Sequence, residues 1–148
     1  MCYILGMDEI TIHRVGPEDH AIFRNIADGV FDHAVTPEHL ARFLASDVHE
    51  MVVALHDGQI VGMGSAVVYF HPDKAPQLWI NEVGTGDAWL RQGIATRVMQ
   101  ALLQIGDTRG CAYVWLGTEP DNAAALGLYR KLKGDEETFV LFGWGEEA

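Results

Sequence analysis

Residues 90–96, LRQGIAT, set an arginine, a glutamine and a glycine just ahead of an apolar repeat with helical spacing. A helix N-terminus exposes unpaired N–H groups and the positive end of the helix dipole, so a tight turn at that point is a natural seat for phosphate. Gly93 and Ala95 let main-chain amides approach an anionic oxygen, and Arg91 can add charge-assisted bonds. No Gly-Lys-Ser/Thr sequence follows, and Gly84-Thr85-Gly86 before Asp87-Ala88-Trp89 does not complete Gly-x-Gly-x-x-Gly. Both standard nucleotide loops are thereby excluded. On spacing alone, a phosphate seat and a plain glycine-containing helix start remain equal readings. The 7 histidines (His13, His20, His33, His39, His49, His56 and His71) show neither a His-Glu-x-x-His pattern nor a cysteine partner, so no metal site is expected.

These residues need a scaffold, and its elements follow from periodicity. Residues 10–15 alternate apolar and polar side chains as a half-exposed strand does. Pro17-Glu18-Asp19 opens a predicted helix over 19–29, with Ile22, Phe23 and Ile26 on one face and Gly29 at its end. Thr36 and Pro37 read as the cap and first residue of a second helix with Leu40, Phe43 and Leu44 as its buried stripe. Two β-rich runs, 51–55 and 60–70, flank Asp57-Gly58, a strong hairpin signal. Gly62 and Gly64 inside the second run suggest a bulge or a close backbone approach. A polar loop with Pro72 and Pro76 precedes a strand over 78–85, and Ile94, Val98, Ala101, Leu102 and Ile105 then recur at helical spacing. A strand over 112–117, a helix over 122–132 and a last strand over 138–144 complete an α/β order on a mixed sheet.

The 148 residues suffice for one compact domain, expected over 7–148, with residues 1–6 as an N-terminal extension ahead of the second methionine, Met7. No run approaches a membrane span, and no secretory signal pattern opens the chain, so a cytoplasmic location is expected. Two cysteines, Cys2 and Cys111, are too few and too far apart for a disulfide framework. A net charge of -11 repels nucleic acid and anionic membrane while drawing in cations. A small cationic partner suits that field.

At this point the chain resembles the GCN5-related N-acetyltransferase superfamily, whose pyrophosphate loop has the form Gln/Arg-x-x-Gly-x-Gly/Ala. The match runs through Leu90-Arg91-Gln92-Gly93-Ile94-Ala95, with Leu90 departing at the first position, and the helix motif Asn-x-x-Ala-x-x-x-Tyr appears from Asn122 to Tyr129. LRQGIAT, LYRKL and TFVLFGW together are most similar to the aminoglycoside 3-N-acetyltransferase branch, while 133–137, KGDEE, vary where the family often has Gly-Phe.

The resemblance implies a mostly antiparallel, mixed twisted sheet flanked by helices, with two splayed parallel central strands that admit acetyl-CoA. Backbone groups of Val83, Gly84 and Thr85 are then expected against the pantetheine arm, with Arg91, Gln92, Gly93, Ile94, Ala95 and Thr96 holding the pyrophosphate and Asn122 bonding the pantetheine; the plainer reading of Asn122 is a helix cap. An amine attacks only when neutral, so a base is required. Glu82 is that candidate, although strict alternation puts it beside Leu78 and Ile80, where a lone charge is costly. Either a bulge turns it into the cleft or a cation meets it. Tyr129 is expected to protonate the departing thiolate; without the motif it reads as a core aromatic. Asp32, His33, Glu119 and Asp121 are candidate contacts to the acceptor, and Trp89, Trp115 and Trp144 read as packing aromatics. The expected function is direct acetyl transfer to an amine of a polycationic small molecule, first an aminoglycoside, with antibiotic resistance as the implied role and a homodimer as the implied assembly. A polyamine or protein amine as acceptor, and a non-catalytic acyl-CoA-binding regulatory module, are the rivals.

Overall fold

The computed structural model describes residues 9–147. They fall into two compact units divided between Gly117 and Thr118. The first unit is a sheet in the order β1-β2-β3-β4-β5, made of β1 Thr11–Arg14, β2 His49–His56, β3 Gln59–His71, β4 Lys74–Thr85 and β5 Tyr113–Trp115. All neighbours are antiparallel except β4 and β5, which run parallel. The β2–β3 hairpin turns at Asp57 and Gly58, both with left-handed φ (47° and 78°), the pair of conformations that matches strand twist and favours Asp-Gly.

One layer packs on each face. Helix α2, Ile94–Thr108, lies on one, burying Ile94, Val98, Leu102 and Ile105. Gly62 and Gly64 are what permits that approach. A Cβ at Gly62 would stand 2.6 Å from Ile94, and one at Gly64 2.7 Å from Leu102 and Val98, so the glycines mark close packing of helix on sheet. The other face carries helix α1, Pro37–Leu44, capped by Thr36 accepting from the His39 amide at 3.2 Å, and a core of Phe23, Val30, Met51, Val53, Ile60 and Met63. At the edge of the α2 layer Glu50, 6% exposed, holds Arg14 at 2.5–3.0 Å and Arg109 at 3.6 Å, tying β1, β2 and the end of α2 together.

Three expectations are corrected. The helix over 19–29 is only a 3-10 turn, Ala21–Arg24; a backbone bond from the Ile60 amide to Asn25 O (2.9 Å) and a bridge between Ile26 and Ile60 draw the chain into sheet pairing instead. The loop around Pro76 is strand, because Pro76 needs to give only its carbonyl, which accepts from the Ala112 amide at 2.8 Å. Residues 138–144 form no strand in the second unit. They run without a ladder partner among the described residues. That unit contains helix α3, Ala123–Lys131, whose last turn places Arg130 against Glu136. No helix among the described residues is long and apolar enough to cross a membrane.

Candidate active site

Gly93, with φ at 77°, stops the chain after Arg91, itself left-handed at φ 62°, and starts α2. No side chain caps this N-terminus, and its first turn holds no acidic residue. Arg97 N closes the first helical bond to Gly93 O at 3.2 Å, which leaves the amides of Ile94, Ala95 and Thr96 without helical acceptors. Among the described residues, none beyond its chain neighbours comes within 4 Å of where a Gly93 Cβ would stand, so the space is open to an oxygen and a phosphate group fits the residues present.

Beside this turn the sheet splays. β4 and β5 pair only across Gln77–Trp79 and Tyr113–Trp115; from Ile80 to Thr85, β4 has ladder partners on β3 alone. Val83, Gly84 and Thr85 therefore offer strand backbone along an unpaired edge, the feature expected for a pantetheine arm.

The same strand answers the question posed by Glu82. Ser65 opposes Glu82 and Ala66 opposes Ile80, so Asn81 is the extra residue of a β-bulge. Ser65, buried, donates its hydroxyl to Asn81 Oδ1 at 2.8 Å and pins the distortion. Leu78 and Ile80 face α2; after the bulge the parity reverses, and Glu82 leaves that apolar face for the opposite one. There the loop before α1 comes very close. A Cβ on Gly84 would lie 2.2 Å from Val30 O, so only glycine lets that loop lie on β4. The loop carries Asp32 and His33 to Glu82. Loss of water, the Asp32 charge and a hydrogen bond to Asp32 raise the Glu82 carboxyl above its ordinary value, while the charge of His33 works against them. Glu82 is nevertheless exposed enough to meet a ligand. A carboxyl raised in this way is a better proton acceptor, once ionised, than an ordinary carboxylate.

Glu119, Asp121, Asn122 and Tyr129 lie in the second unit and are described within it. Asn122 Oδ1 accepts from the Ala125 amide at 3.1 Å and so caps α3, the plainer role weighed for it. Burial raises the Tyr129 phenol, which keeps it protonated. Glu119 and Asp121 are exposed. Among the described residues no group of three His, Cys, Asp or Glu side chains is arranged to hold a metal ion.

The aromatic expectations divide. Trp89 packs on His56, with centroids 4.7 Å apart. Trp144, in the second unit, is 90% exposed. Trp115 stacks on Trp79, a residue that sequence reasoning passed over. The signal was present in Gln77-x-Trp79 and Tyr113-x-Trp115, two runs of equal parity on strands that turn out to be parallel neighbours.

A glycine-led helix start with amides lacking helical acceptors, beside a splayed parallel pair and a raised carboxyl on the adjoining strand, is an arrangement suited to a phosphorylated acyl carrier. The chain matches the acetyltransferase (GNAT) family over residues 20–134 and belongs to it. The family is one of acetyltransferases, for which acetyl-CoA is the acyl donor. The L-2,4-diaminobutyric acid acetyltransferase of Marinococcus halophilus is 29% identical over 89 residues, 60% of this chain and 51% of that protein. The chain thus spans about half the length of this curated relative. Among solved structures, the aminoglycoside acetyltransferase meta-AAC0020 from an uncultured soil metagenomic sample, in complex with trehalose, has a TM-score of 0.79 at 23% identity over 95% of this chain and 98% of that one. AAC(6')-Iy in complex with the bisubstrate analog CoA-S-monomethyl-acetylneamine has a TM-score of 0.72 at 18% identity, covering 93% and 98%. At these identities the likeness is one of fold.

Proposed function

We propose that this chain acetylates an amine of a polycationic small molecule, an aminoglycoside first, by direct transfer in a ternary complex. The observation that carries the reading is the bulge at Asn81, which turns Glu82 toward Asp32 and His33. Acetyl-CoA supplies an activated acyl group and a thiolate leaving group. Glu82 takes a proton from the acceptor ammonium, directly or through one water, so that the nitrogen lone pair becomes available for attack. Asp32 orients the ammonium through its charge and His33, when neutral, through a hydrogen bond, and backbone N–H groups of Val83 to Thr85 orient and polarise the acyl carbonyl. Arg91 and the amides from Gln92 to Thr96 hold the diphosphate. Tyr129, whose role rests on the sequence motif, returns a proton to the sulfur. Glu119 and Asp121 are proposed as further anchors for ammonium groups, and Asn122 as a pantetheine contact through its amide nitrogen.

The resemblance to the 3-N branch implies acetylation at that position, whereas the AAC(6')-Iy neighbour carries the 6' designation. NMR of the acetylated product decides the site of attack. A second reading, transfer to an open-chain diamine, is favoured by the diaminobutyric acid acetyltransferase relative. Monitoring CoA release with neamine, spermidine, L-2,4-diaminobutyrate and lysine peptides separates these readings, and binding of acetyl-CoA without turnover of any amine would leave the non-catalytic module. Glu82→Gln is expected to lower turnover about a hundredfold at neutral pH with acetyl-CoA binding retained; unchanged turnover removes Glu82 as the base.

The proposed assembly is a homodimer. Phe139, Val140, Leu141, Phe142 and Trp144 are 60–90% exposed. Five such side chains present on the order of 700 Å² of apolar surface, more than a monomer commonly leaves open and near the ~800 Å² each partner contributes to a stable pair.

A further inference from the structure

The sheet face that bears Glu82 holds a second feature, which the proton chemistry does not use. Ladder partners project to the same side of a sheet, so Tyr69, Gln77 and Tyr113 make one row and Val67, Trp79 and Trp115 the next. The rings of Trp79 and Trp115 stack with centroids 5.8 Å apart and planes at 23°. Trp115 Nε1 donates to the Tyr69 hydroxyl at 3.3 Å, and that hydroxyl donates to Gln77 Oε1. These bonds occupy the polar edges of Trp115 and Tyr69 within the sheet and hold both rings in place. Their surfaces are not occupied to the same degree: Trp79 is 40% exposed and Tyr69 37%.

The position of Glu82 gives this aromatic row a meaning. Its ladder partner Ser65 and the Trp79 partner Val67 are two residues apart on β3, which puts the carboxylate and indole positions about 7 Å apart along one face. That is the span of one sugar-sized ring with its substituent. An indole face attracts both the C–H surface of a ring and a cation, while Glu82 and Asp32 attract an ammonium. A ligand that uses both must carry a flat-sided ring with amines at its rim. An open-chain diamine can meet the carboxylates and offer the indole a cation, but it has no ring face to lay against it.

We propose that Trp79, braced by Trp115 and Tyr69, forms the acceptor subsite that selects a cyclic polyamine, an aminocyclitol or amino sugar, over open-chain amines. The proposal rests on the reading that the reacting amine meets Glu82. Its first test omits catalysis: the full-length protein is titrated with neamine and, separately, with spermidine, while tryptophan emission is followed. Neamine is expected to shift the emission saturably at concentrations where spermidine has little effect, and Trp79→Leu is expected to abolish the neamine response. In turnover assays the ratio of kcat/KM for neamine to that for spermidine falls about tenfold in Trp79→Leu and is largely rescued by Trp79→Phe, with circular dichroism confirming that both variants fold. A neamine titration without emission change, an equal loss for both amines, or a Trp79 shielded from iodide by a second copy overturns the proposal. Glu82→Gln keeps the two readings apart: if it retains full turnover the base assignment fails, while the emission response still decides the subsite.

Discussion

Glu82 and Asp32 act as a pair, and the consequences of that pairing are measurable. The Glu82 carboxyl is raised by lost water first and by Asp32 second. A base must be ionised to work, so kcat/KM should climb with pH through the raised value. Asp32→Asn removes one cause and should move that acid limb to lower pH; a limb that stays in place shows that Asp32 does not act on Glu82. Stability runs the other way. A carboxyl raised by folding contributes stability that is present below its unfolded value and lost as pH rises through the folded one. Glu82→Gln should therefore melt above the parent protein at neutral pH, with the gap closing in acid, as followed by circular dichroism. An active site that costs stability at its working pH is the expected trade.

At the scale of elements, the bulge in β4 decides which layer Glu82 meets. Inserting one residue between Ser65 and Ala66 gives Asn81 a ladder partner, restores strict alternation over 78–82 and sets Glu82 on the same face as Leu78 and Ile80, the one that meets α2. Turnover should then fall at least a hundredfold, and the melting temperature should fall as well, because a carboxylate enters an apolar layer. Wild-type CoA release from the insertion variant would show that the bulge does not aim Glu82. The hairpin, α1 and α2 were legible beforehand because their signals are local: Asp57-Gly58 for the turn, Thr36-Pro37 for the cap, and a 3.6-residue apolar repeat for the long helix. The helix over 19–29 was not, since the backbone groups of 25–27 found partners on Ile60 that no local pattern announces.

At the scale of the whole molecule, residues 138–144 carry every local mark of a strand yet have no ladder partner among the described residues. Propensity supplies the tendency, but a ladder needs a second strand. Light scattering coupled to size exclusion is expected to give the mass of two chains for the parent protein. Phe142→Lys, at a position 75% exposed in this chain, should shift it to the mass of one without unfolding. A parent protein of single-chain mass removes the dimer. The net charge of -11 does not by itself drive such pairing, and its neutral, apolar run is flanked by Glu136, Glu137, Glu146 and Glu147, which confine the contact to the segment between them.

The glycine-led turn at Gln92 to Thr96, the strand that feeds it and the family they belong to were readable from residue types and spacing. Each depends on neighbours in the chain: a left-handed residue at a helix start, an apolar period, a motif of fixed length. Two things belonged to the tertiary structure alone. The bulge that reverses Glu82 depends on register against β3, and the pairing of Trp79 with Trp115 depends on which strands lie side by side. Register and neighbour order are long-range choices made by packing the sheet between its two layers, so the direction of the Glu82 side chain and the stacking of two indoles came into view only with the fold.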